Sequence, residues 1–210
     1  VLMLENRSFD HYLGLLKSQR PDINGCLPDM AECSNPLDPA DANSPNFPVT
    51  NNGINVQASP SHSVHGTTTQ IFGFSDPNNN KDTSDHSLYN YEKEDMKGFV
   101  RSYGSVVGQE NAGTVMDCME PSHVPVMSTL ADNYAVFDSW FASVPGPTEP
   151  NRCYAIAASS HGMSTNDVET MVRGLPNKTL FRQLTELGMD WRVYFELVPT
   201  TLMFKDMRHS

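Results

Sequence analysis

The sequence lacks a long hydrophobic run and an excess of basic charge. Its 210 residues include no apolar stretch near the roughly 18 residues that a membrane-spanning helix requires. The net charge is −11, and no run of Lys or Arg offers a dock for an anionic membrane surface. We expect no nucleic-acid partner, because so acidic a chain has little with which to replace the counterions of a phosphate backbone. Peripheral membrane contact stays open.

A signal peptide is also missing from the sequence, and cysteine is scarce. The opening apolar run, residues 1–4, is too short for a signal peptide and follows no basic residues. No Met starts the chain, so we expect the natural N-terminus to be missing. Of the four cysteines, Cys26 and Cys33 share a loop rich in Pro, Asn and Asp, where a disulfide and two free thiols are both reasonable. We favour a secreted over a cytoplasmic protein.

Several familiar catalytic patterns are absent. The chain has no G-x-S-x-G, no P-loop, no dinucleotide-binding fingerprint, no H-E-x-x-H and no EF-hand loop. The common nucleotide, zinc-protease and serine-hydrolase signatures therefore do not apply. The spacing of the cysteines suits no zinc site either.

Segments of strand type alternate with segments of helical spacing, which predicts an α/β fold with a mostly parallel central sheet flanked by helices. Two long polar loops interrupt the pattern, at about residues 17–60 and 74–90. The predicted strands are residues 1–4, 135–138 and 191–195. The predicted helices are residues 9–16, 92–103, 124–133, 151–159 and 177–187, the last capped by Asn177, with a further helix starting at residue 201.

Polar residues follow the first predicted strand abruptly. Ligands of open α/β sheets bind beyond the carboxyl ends of the strands, where Glu5 and Asn6 would lie. Together they offer the oxygen ligands that a divalent cation takes. The alternative is a helix cap, in which Asn6 or Ser8 caps the helix that begins near Phe9.

A second polar cluster surrounds Thr148, just before a predicted helix. A hydroxyl there would face unpaired N–H groups and the positive end of the helix dipole, which suits an anionic phosphoryl group and a nucleophile that attacks it. The alternative is structural, with Thr148 as the N-cap and Glu149 as a favourable first-turn carboxylate.

Histidine is the other chemistry-bearing residue, with seven occurrences. His62 and His65 are three residues apart, a weak signal for a metal site. His161 follows Thr148 by 13 residues and would lie roughly 20 Å away on one straight helix. Only a chain reversal would return it to Thr148.

Two longer motifs give these residues a common context. Residues 5–14, ENRSFDHYLG, match the pattern ENRSFDxxxG, and residues 148–152, TEPNR, match TxPNR within FDSWFASVPGPTEPNRCYAIAASSHG. With SPSHSVHGTTTQIFG and GMDWRVYFELVPTTLMFKDMR, they make the chain closely resemble the phosphoesterase family of non-specific phospholipases C and related acid phosphatases. That family has the fold of the alkaline phosphatase superfamily, and the resemblance covers essentially the whole chain.

The resemblance implies a role for each motif residue. It implies that Glu5 and Asn6 bind a divalent metal ion or organise the phosphate site, and that Thr148 is a nucleophile that forms a phospho-enzyme. His62 would stabilise the phosphate oxygens or protonate a leaving group, and Asn151 would contact the phosphate. Supporting roles fall to Asp10 and Arg152, and His161 is a further candidate.

The implied activity is that of a phospholipase C-like phosphoric ester hydrolase, which cleaves head groups of the phosphatidylcholine type through a phosphothreonine. One alternative is an acid phosphatase that acts on soluble phosphomonoesters. The other is an inactive fragment that only binds phosphate, lipid or a partner.

The chain also departs from the family. Two further family motifs, DExxGxxDHV and GxRVPxxxxxP, do not occur in it. We expect residues 1–210 to be the N-terminal part of a single catalytic domain, incomplete on its C-terminal side. This chain alone is then expected to be inactive or nearly so.

Overall fold

The structure is a computed structural model that describes residues 7–54, 58–73 and 94–208. The described residues group into two compact units. The first takes in those up to Ser61 and those from His65 to Phe141, and the second takes in His62–Val64 and those from Ala142 onwards. The predicted strand at residues 1–4, Glu5, Asn6 and the loop at 74–90 lie outside the described residues.

The described secondary structure is mainly helical. The α-helices are α1 (Phe9–Leu13), α2 (Val64–Phe72), α3 (Phe99–Val107), α4 (Pro125–Asn133), α5 (Thr148–Ala157), α6 (Val168–Arg173) and α7 (Leu180–Glu186). Short 3-10 helices lie at Gly14–Ser18, Gln109–Met116, Pro121–His123, Thr200–Met203 and Lys205–Met207. None of the described helices is both long and apolar enough to cross a membrane.

The predicted helix at residues 9–16 forms in two parts. Ser8 caps α1 by accepting a hydrogen bond from the His11 N–H at 3.2 Å, as one of the alternatives predicted. After Leu13 the chain tightens into the 3-10 helix Gly14–Ser18, which buries Leu15 and Leu16.

The long polar segment at residues 17–60 contains the one sheet of the described residues. Strand β1 (Ser34–Pro36) pairs antiparallel with β2 (Asn46–Pro48), and Asn35 lies opposite Phe47. A disulfide joins Cys26 to Cys33, which decides between the two readings of that loop. Cys33 packs with Leu15, Val49 and Cys118 in one buried cluster. A cross-link and contacts with Leu15 and Cys118 outside the segment therefore order a stretch that has few aliphatic residues.

The second unit packs its helices around a sulfur-rich core. The core residues are Cys153, Met163, Leu175, Met203, Phe204 and Met207. Helix α7 begins at Leu180 and is capped by the Thr179 side chain, so the prediction of Asn177 as its cap was wrong. Thr179 is the cap because its hydroxyl accepts a hydrogen bond from the Arg182 N–H at 3.1 Å.

Two predicted strands, residues 135–138 and 191–195, have no regular secondary structure, so these predictions were wrong. Phe137, Trp140, Tyr194 and Phe195 are exposed. A strand needs a neighbour to satisfy its main-chain groups, and the described residues contain only the β1–β2 pair. The structure thus shows a mixed helix and strand fold, while the mostly parallel central sheet stays a prediction.

Candidate functional site

Thr148 is the first residue of α5, in the second unit. The cap residue of this helix is Pro147, which makes no side-chain capping bond. Thr148 is therefore not the N-cap that the structural alternative required. Its side chain is half-buried, and its hydroxyl has no hydrogen-bond partner within the described part of the chain. An uncommitted hydroxyl at the positive end of a helix is suited to attack an anionic phosphoryl group.

Few main-chain donors remain free at the start of α5. The N–H of Glu149 donates to Asn166 Oδ1 at 2.9 Å, and Pro150 has no N–H. Among these first three helical residues, the N–H of Thr148 is the one without a partner among the described residues. An anion at this helix end would therefore meet a single free donor next to the Thr148 hydroxyl.

Asn166 shows that the chain reverses after α5. Ala158 and His161 adopt the left-handed conformation at the end of the helix, with φ values of 55° and 54°. The chain then returns, so that Asn166 reaches the first turn of α5. His161 is exposed, and its N–H donates to Ser159 Oγ at 3.1 Å. A chain reversal, the condition for returning His161 to Thr148, thus exists, but the residue that it brings to the start of α5 is Asn166, which no sequence motif singled out.

Arg152 lies one helical turn after Thr148 on the same side of α5. Its guanidinium donates to Thr200 Oγ1 at 2.6 Å, and its side chain is half-buried. This contact ties α5 to the 3-10 helix Thr200–Met203. The supporting role of Arg152 at the site stays a prediction.

Asn151 folds its side-chain amide back onto the loop before α5. Its Oδ1 accepts a hydrogen bond from the Val144 N–H at 3.0 Å, and its Nδ2 donates to Pro147 O at 3.0 Å. The sequence motif predicted a contact with phosphate instead. In this structure the amide makes its hydrogen bonds within the loop.

His62 is exposed and lies in the same unit as Thr148, two residues before the start of α2. Val64 is close to the loop before α5, because a Cβ built on Gly146 would lie 3.2 Å from Val64 Cγ2. Both His62 and Thr148 are therefore two residues from this point of contact.

Residues 7–14 of the first motif are described, and they include Asp10 and His11. One oxygen of Asp10, Oδ1, is buried without a hydrogen-bond partner in the described part of the chain. Burial raises the pKa of Asp10, and the positive charge of Lys17 partly opposes this. Keeping this carboxyl group buried and charged costs free energy. Carboxyl groups with a pKa shifted in this way are common at functional sites.

His11 is buried beside Asp10 and fastens α1 to a distant segment. Its Nδ1 lies 2.8 Å from the Asp117 main-chain oxygen, and its own main-chain oxygen accepts a hydrogen bond from the Met119 N–H at 2.7 Å. Burial lowers the pKa of His11. Sequence reasoning missed this residue, although it directly follows the polar cluster of the first motif.

Cysteine chemistry does not compete with Thr148 for the role of nucleophile. Burial raises the pKa of Cys153 to about 11 and that of Cys118 to about 12. Both thiols therefore stay protonated near neutral pH, and the thiolate is the nucleophilic form of cysteine. Cys26 and Cys33 are joined to each other.

The described residues do not by themselves form a metal site. No group of three or more His, Cys, Asp and Glu side chains among them could hold a metal ion. The predicted ligands Glu5 and Asn6 lie outside the described part of the chain.

Comparison with known proteins agrees with the two sequence motifs. The phosphoesterase family model matches residues 1–208. Non-specific phospholipase C1 of Arabidopsis thaliana is 40% identical over 208 residues, which are 99% of this chain and 36% of that protein. Non-specific phospholipase C3 of the same plant is 38% identical over 208 residues, 99% of this chain and 38% of that protein.

A bacterial relative is more distant. Hemolytic phospholipase C of Pseudomonas aeruginosa is 27% identical over 207 residues, 93% of this chain and 25% of that protein. The chain thus spans little more than a third of the length of the two plant relatives.

Proposed function

Because the chain belongs to the phosphoesterase family, we propose that the complete enzyme hydrolyses phosphoric esters in a phospholipase C-like reaction on phospholipids of the phosphatidylcholine type. The similarity to plant proteins named non-specific phospholipases C supports this substrate class. The observation that carries the chemistry is the place of Thr148, at the first position of α5 with an uncommitted hydroxyl.

The reaction has two steps. Thr148 Oγ1 attacks phosphorus in line with the leaving oxygen, the Thr148 hydroxyl loses its proton, and the bond from phosphorus to the diacylglycerol oxygen breaks. The Thr148 proton passes to solvent water, and His62 gives its own proton to the leaving oxygen, so that diacylglycerol leaves as an alcohol. Water then attacks the phosphothreonine and gives one proton to His62, the bond from phosphorus to Thr148 Oγ1 breaks, and that oxygen takes a proton from solvent, which releases the phosphorylated head group and regenerates Thr148.

Charge develops on the phosphoryl oxygens in both steps. The free N–H of Thr148 and the positive end of the α5 dipole lie where this charge can be stabilised. This helix end offers few free donors. Asn166 already accepts the hydrogen bond of the Glu149 N–H, and Pro150 has no N–H. Substrate binding therefore needs further positive groups from outside this helix end.

A divalent cation held by Glu5 and Asn6 belongs to the proposal. A carboxylate and an amide oxygen are ligands that a hard cation accepts. When bound, such a cation would neutralise phosphoryl charge and lower the pKa of the attacking hydroxyl. The support for this cation is the ENRSFD motif of the sequence. No step of the reaction described above depends on the cation.

The wider setting is proposed on the same family grounds. The complete catalytic domain would have a mostly parallel central sheet flanked by helices, like alkaline phosphatase, and residues 1–210 would form the N-terminal part of that single domain. A secreted location is supported by the Cys26–Cys33 disulfide, because disulfides persist in oxidising compartments. Lipid substrates would require peripheral contact with a membrane.

The test compares substrates and variants of the complete enzyme. Wild type and Thr148→Ala are assayed on phosphatidylcholine vesicles and on p-nitrophenyl phosphate, with Thr165→Ala as a control at an exposed threonine of the same unit. We expect phosphatidylcholine turnover in wild type and the control, and a loss of at least about 1,000-fold in Thr148→Ala. Unchanged turnover in Thr148→Ala would refute the nucleophile.

The same assay separates the competing functions. Activity on the monoester alone indicates an acid phosphatase on soluble substrates. Absence of turnover with retained phosphate binding indicates an inactive binding protein. An acid quench of the reaction should also trap the phosphorylated Thr148, which mass spectrometry locates.

A further inference from the structure

The four side-chain hydrogen bonds of Asn151 all end on the loop that precedes Thr148. Oδ1 accepts from the Val144 N–H at 3.0 Å. Nδ2 lies 3.0 Å from Val144 O, 3.0 Å from Pro147 O and 3.4 Å from Gly146 O. The contacts all lie within the second unit and span no more than seven residues of sequence.

These contacts use the full donor capacity of the amide. An Asn side chain has two N–H hydrogens and one acceptor oxygen, and three carbonyl groups surround Nδ2. Reversing the amide would set Nδ2 against the Val144 N–H and Oδ1 against the carbonyls, so the hydrogen bonds fix its orientation. No hydrogen of Nδ2 is left to donate to a phosphate oxygen.

The loop of residues 144–147 depends on Asn151 because it forms few main-chain hydrogen bonds of its own. Pro145 and Pro147 have no N–H, and the main-chain bond recorded inside the loop is that from Gly146 N to Val144 O at 2.8 Å. An Asn at the fourth position of α5 reaches back and satisfies both the N–H and the carbonyl groups of this stretch. An aspartate would offer acceptors only, which cannot bond to three carbonyl oxygens.

We propose that Asn151 is a positioning residue that holds the loop of residues 144–147 against the first turn of α5 and so fixes the place of Thr148. This proposal rests on the proposed function of Thr148 as the nucleophile. Thr148 directly follows Pro147, whose carbonyl is one of the groups that Asn151 holds. The motif residue thus acts through the main chain of the nucleophile and not on the phosphate.

The first test needs no catalysis. Amide hydrogen exchange of Val144 is measured in phosphate-free protein, for wild type, Asn151→Ala, Asn151→Asp and the control Asn133→Ala. Asn133 is matched because its Nδ2 makes one exposed bond, to Thr129 O at 2.8 Å, far from Thr148 in sequence. We expect exchange at Val144 to rise about tenfold or more in both Asn151 variants and to stay unchanged in the control. Exchange as slow as in wild type would overturn the proposal.

A pH profile sharpens the comparison. Lowering the pH protonates the new carboxyl group of Asn151→Asp, which then regains one O–H donor for a loop carbonyl. The melting temperature of Asn151→Asp should therefore rise relative to that of Asn151→Ala between pH 7 and about 4. A difference in melting temperature that stays constant over this pH range would count against the proposal. If the side chain at position 151 had no carbonyl partners in the free protein, protonating Asn151→Asp would gain no hydrogen bond.

Should the variants fail to fold, wild type alone still decides. The Asn151 side-chain NH₂ resonances are followed by NMR while inorganic phosphate is added. The proposal expects slow exchange without phosphate and no shift upon its addition, whereas a large shift of these resonances would show a direct phosphate contact and overturn it.

Turnover separates this proposal from the proposed function. Positioning predicts that Asn151→Asp lowers kcat by about 100-fold with KM nearly unchanged, because small displacements of a reacting group are costly. A rise in KM at constant kcat would show that Asn151 binds the substrate, which overturns the proposal. If instead Thr148→Ala retains activity, the proposed function fails, and the exchange at Val144 still reports whether Asn151 holds the loop.

Discussion

His11 Nδ1 lies 2.8 Å from the main-chain oxygen of Asp117, 106 residues further along the chain. The contact is paired with a second one between the same segments, from Met119 N to His11 O at 2.7 Å. Asp117 is itself held, because Thr50 Oγ1 donates to its carboxylate at 2.5 Å. Helix α1, which lies within the first sequence motif, is thus fastened to residues 117–119 by both its main chain and a buried imidazole.

Replacing His11 should therefore destabilise the first unit. In His11→Ala the Asp117 oxygen loses its partner and a buried ring is removed. We expect the free energy of unfolding to fall by about 2–3 kcal/mol, measured by urea denaturation at pH 7. His123→Ala, which changes an exposed histidine, should stay within about 0.5 kcal/mol of wild type. Equal stability of the two variants would contradict the role given to His11.

The same histidine should make stability depend on pH. Burial lowers the pKa of His11 in the folded protein, so the unfolded chain binds the proton more readily. Its contribution to stability is present above the ordinary histidine pKa of about 6.5 and is lost as the pH falls from there through the lowered value. Between pH 7.5 and about 5, wild type should lose more stability than His11→Gln, whose side chain does not titrate. Parallel curves for the two proteins would show that His11 is not responsible.

The disulfide between Cys26 and Cys33 should contribute to stability by restricting the unfolded chain. The two residues are seven positions apart in sequence. Closing so short a loop stabilises by about 2 kcal/mol on chain-entropy grounds. Dithiothreitol should lower the free energy of unfolding of wild type by about this amount and leave a Cys26→Ser/Cys33→Ser double variant unchanged. A similar loss in the double variant would trace the effect to another cause.

What the sequence predicted well is local. The helix starting near Phe9, the helix at residues 124–133 and the helix beside Thr148 depend on neighbouring residues and caps, which a sequence displays directly. Helix α5 begins at Thr148 itself, three residues earlier than predicted, because Pro147 takes the cap position. The first motif stays a sequence prediction as far as Glu5 and Asn6 are concerned.

What the sequence could not predict is set by distant contacts. Residues 135–138 and 191–195 have strand composition, yet a strand also requires a partner, and composition does not supply one. The motif identified Asn151 but not the orientation of its side-chain amide, which is set by hydrogen bonds to the carbonyls of a proline-rich loop. Asn166 reaches α5 through a chain reversal whose path no short pattern encodes.

Thr179 offers a last test, of the scaffold of the second unit. It is fully buried, and its hydroxyl donates to Asp206 Oδ2 at 3.0 Å while accepting from the Arg182 N–H at 3.1 Å. Its own N–H donates to the same carboxylate oxygen at 2.9 Å. One side chain thus caps α7 and joins it to the 3-10 helix Lys205–Met207.

Thr179→Val keeps the shape of this side chain and removes the hydroxyl bonds to Asp206 and the Arg182 N–H, together with the 3.4 Å contact between the hydroxyl and Met207 Sδ. The Arg182 N–H and the Asp206 carboxylate each lose a hydrogen-bond partner next to the sulfur-rich core of the second unit. We therefore expect the free energy of unfolding to fall by about 2–3 kcal/mol. Thr179→Ser retains the hydroxyl and should lose about 1 kcal/mol or less, from the missing methyl group. Chemical denaturation of the two variants measures the difference, and a larger loss in Thr179→Ser would assign the stability to packing of the methyl group instead of to the cap.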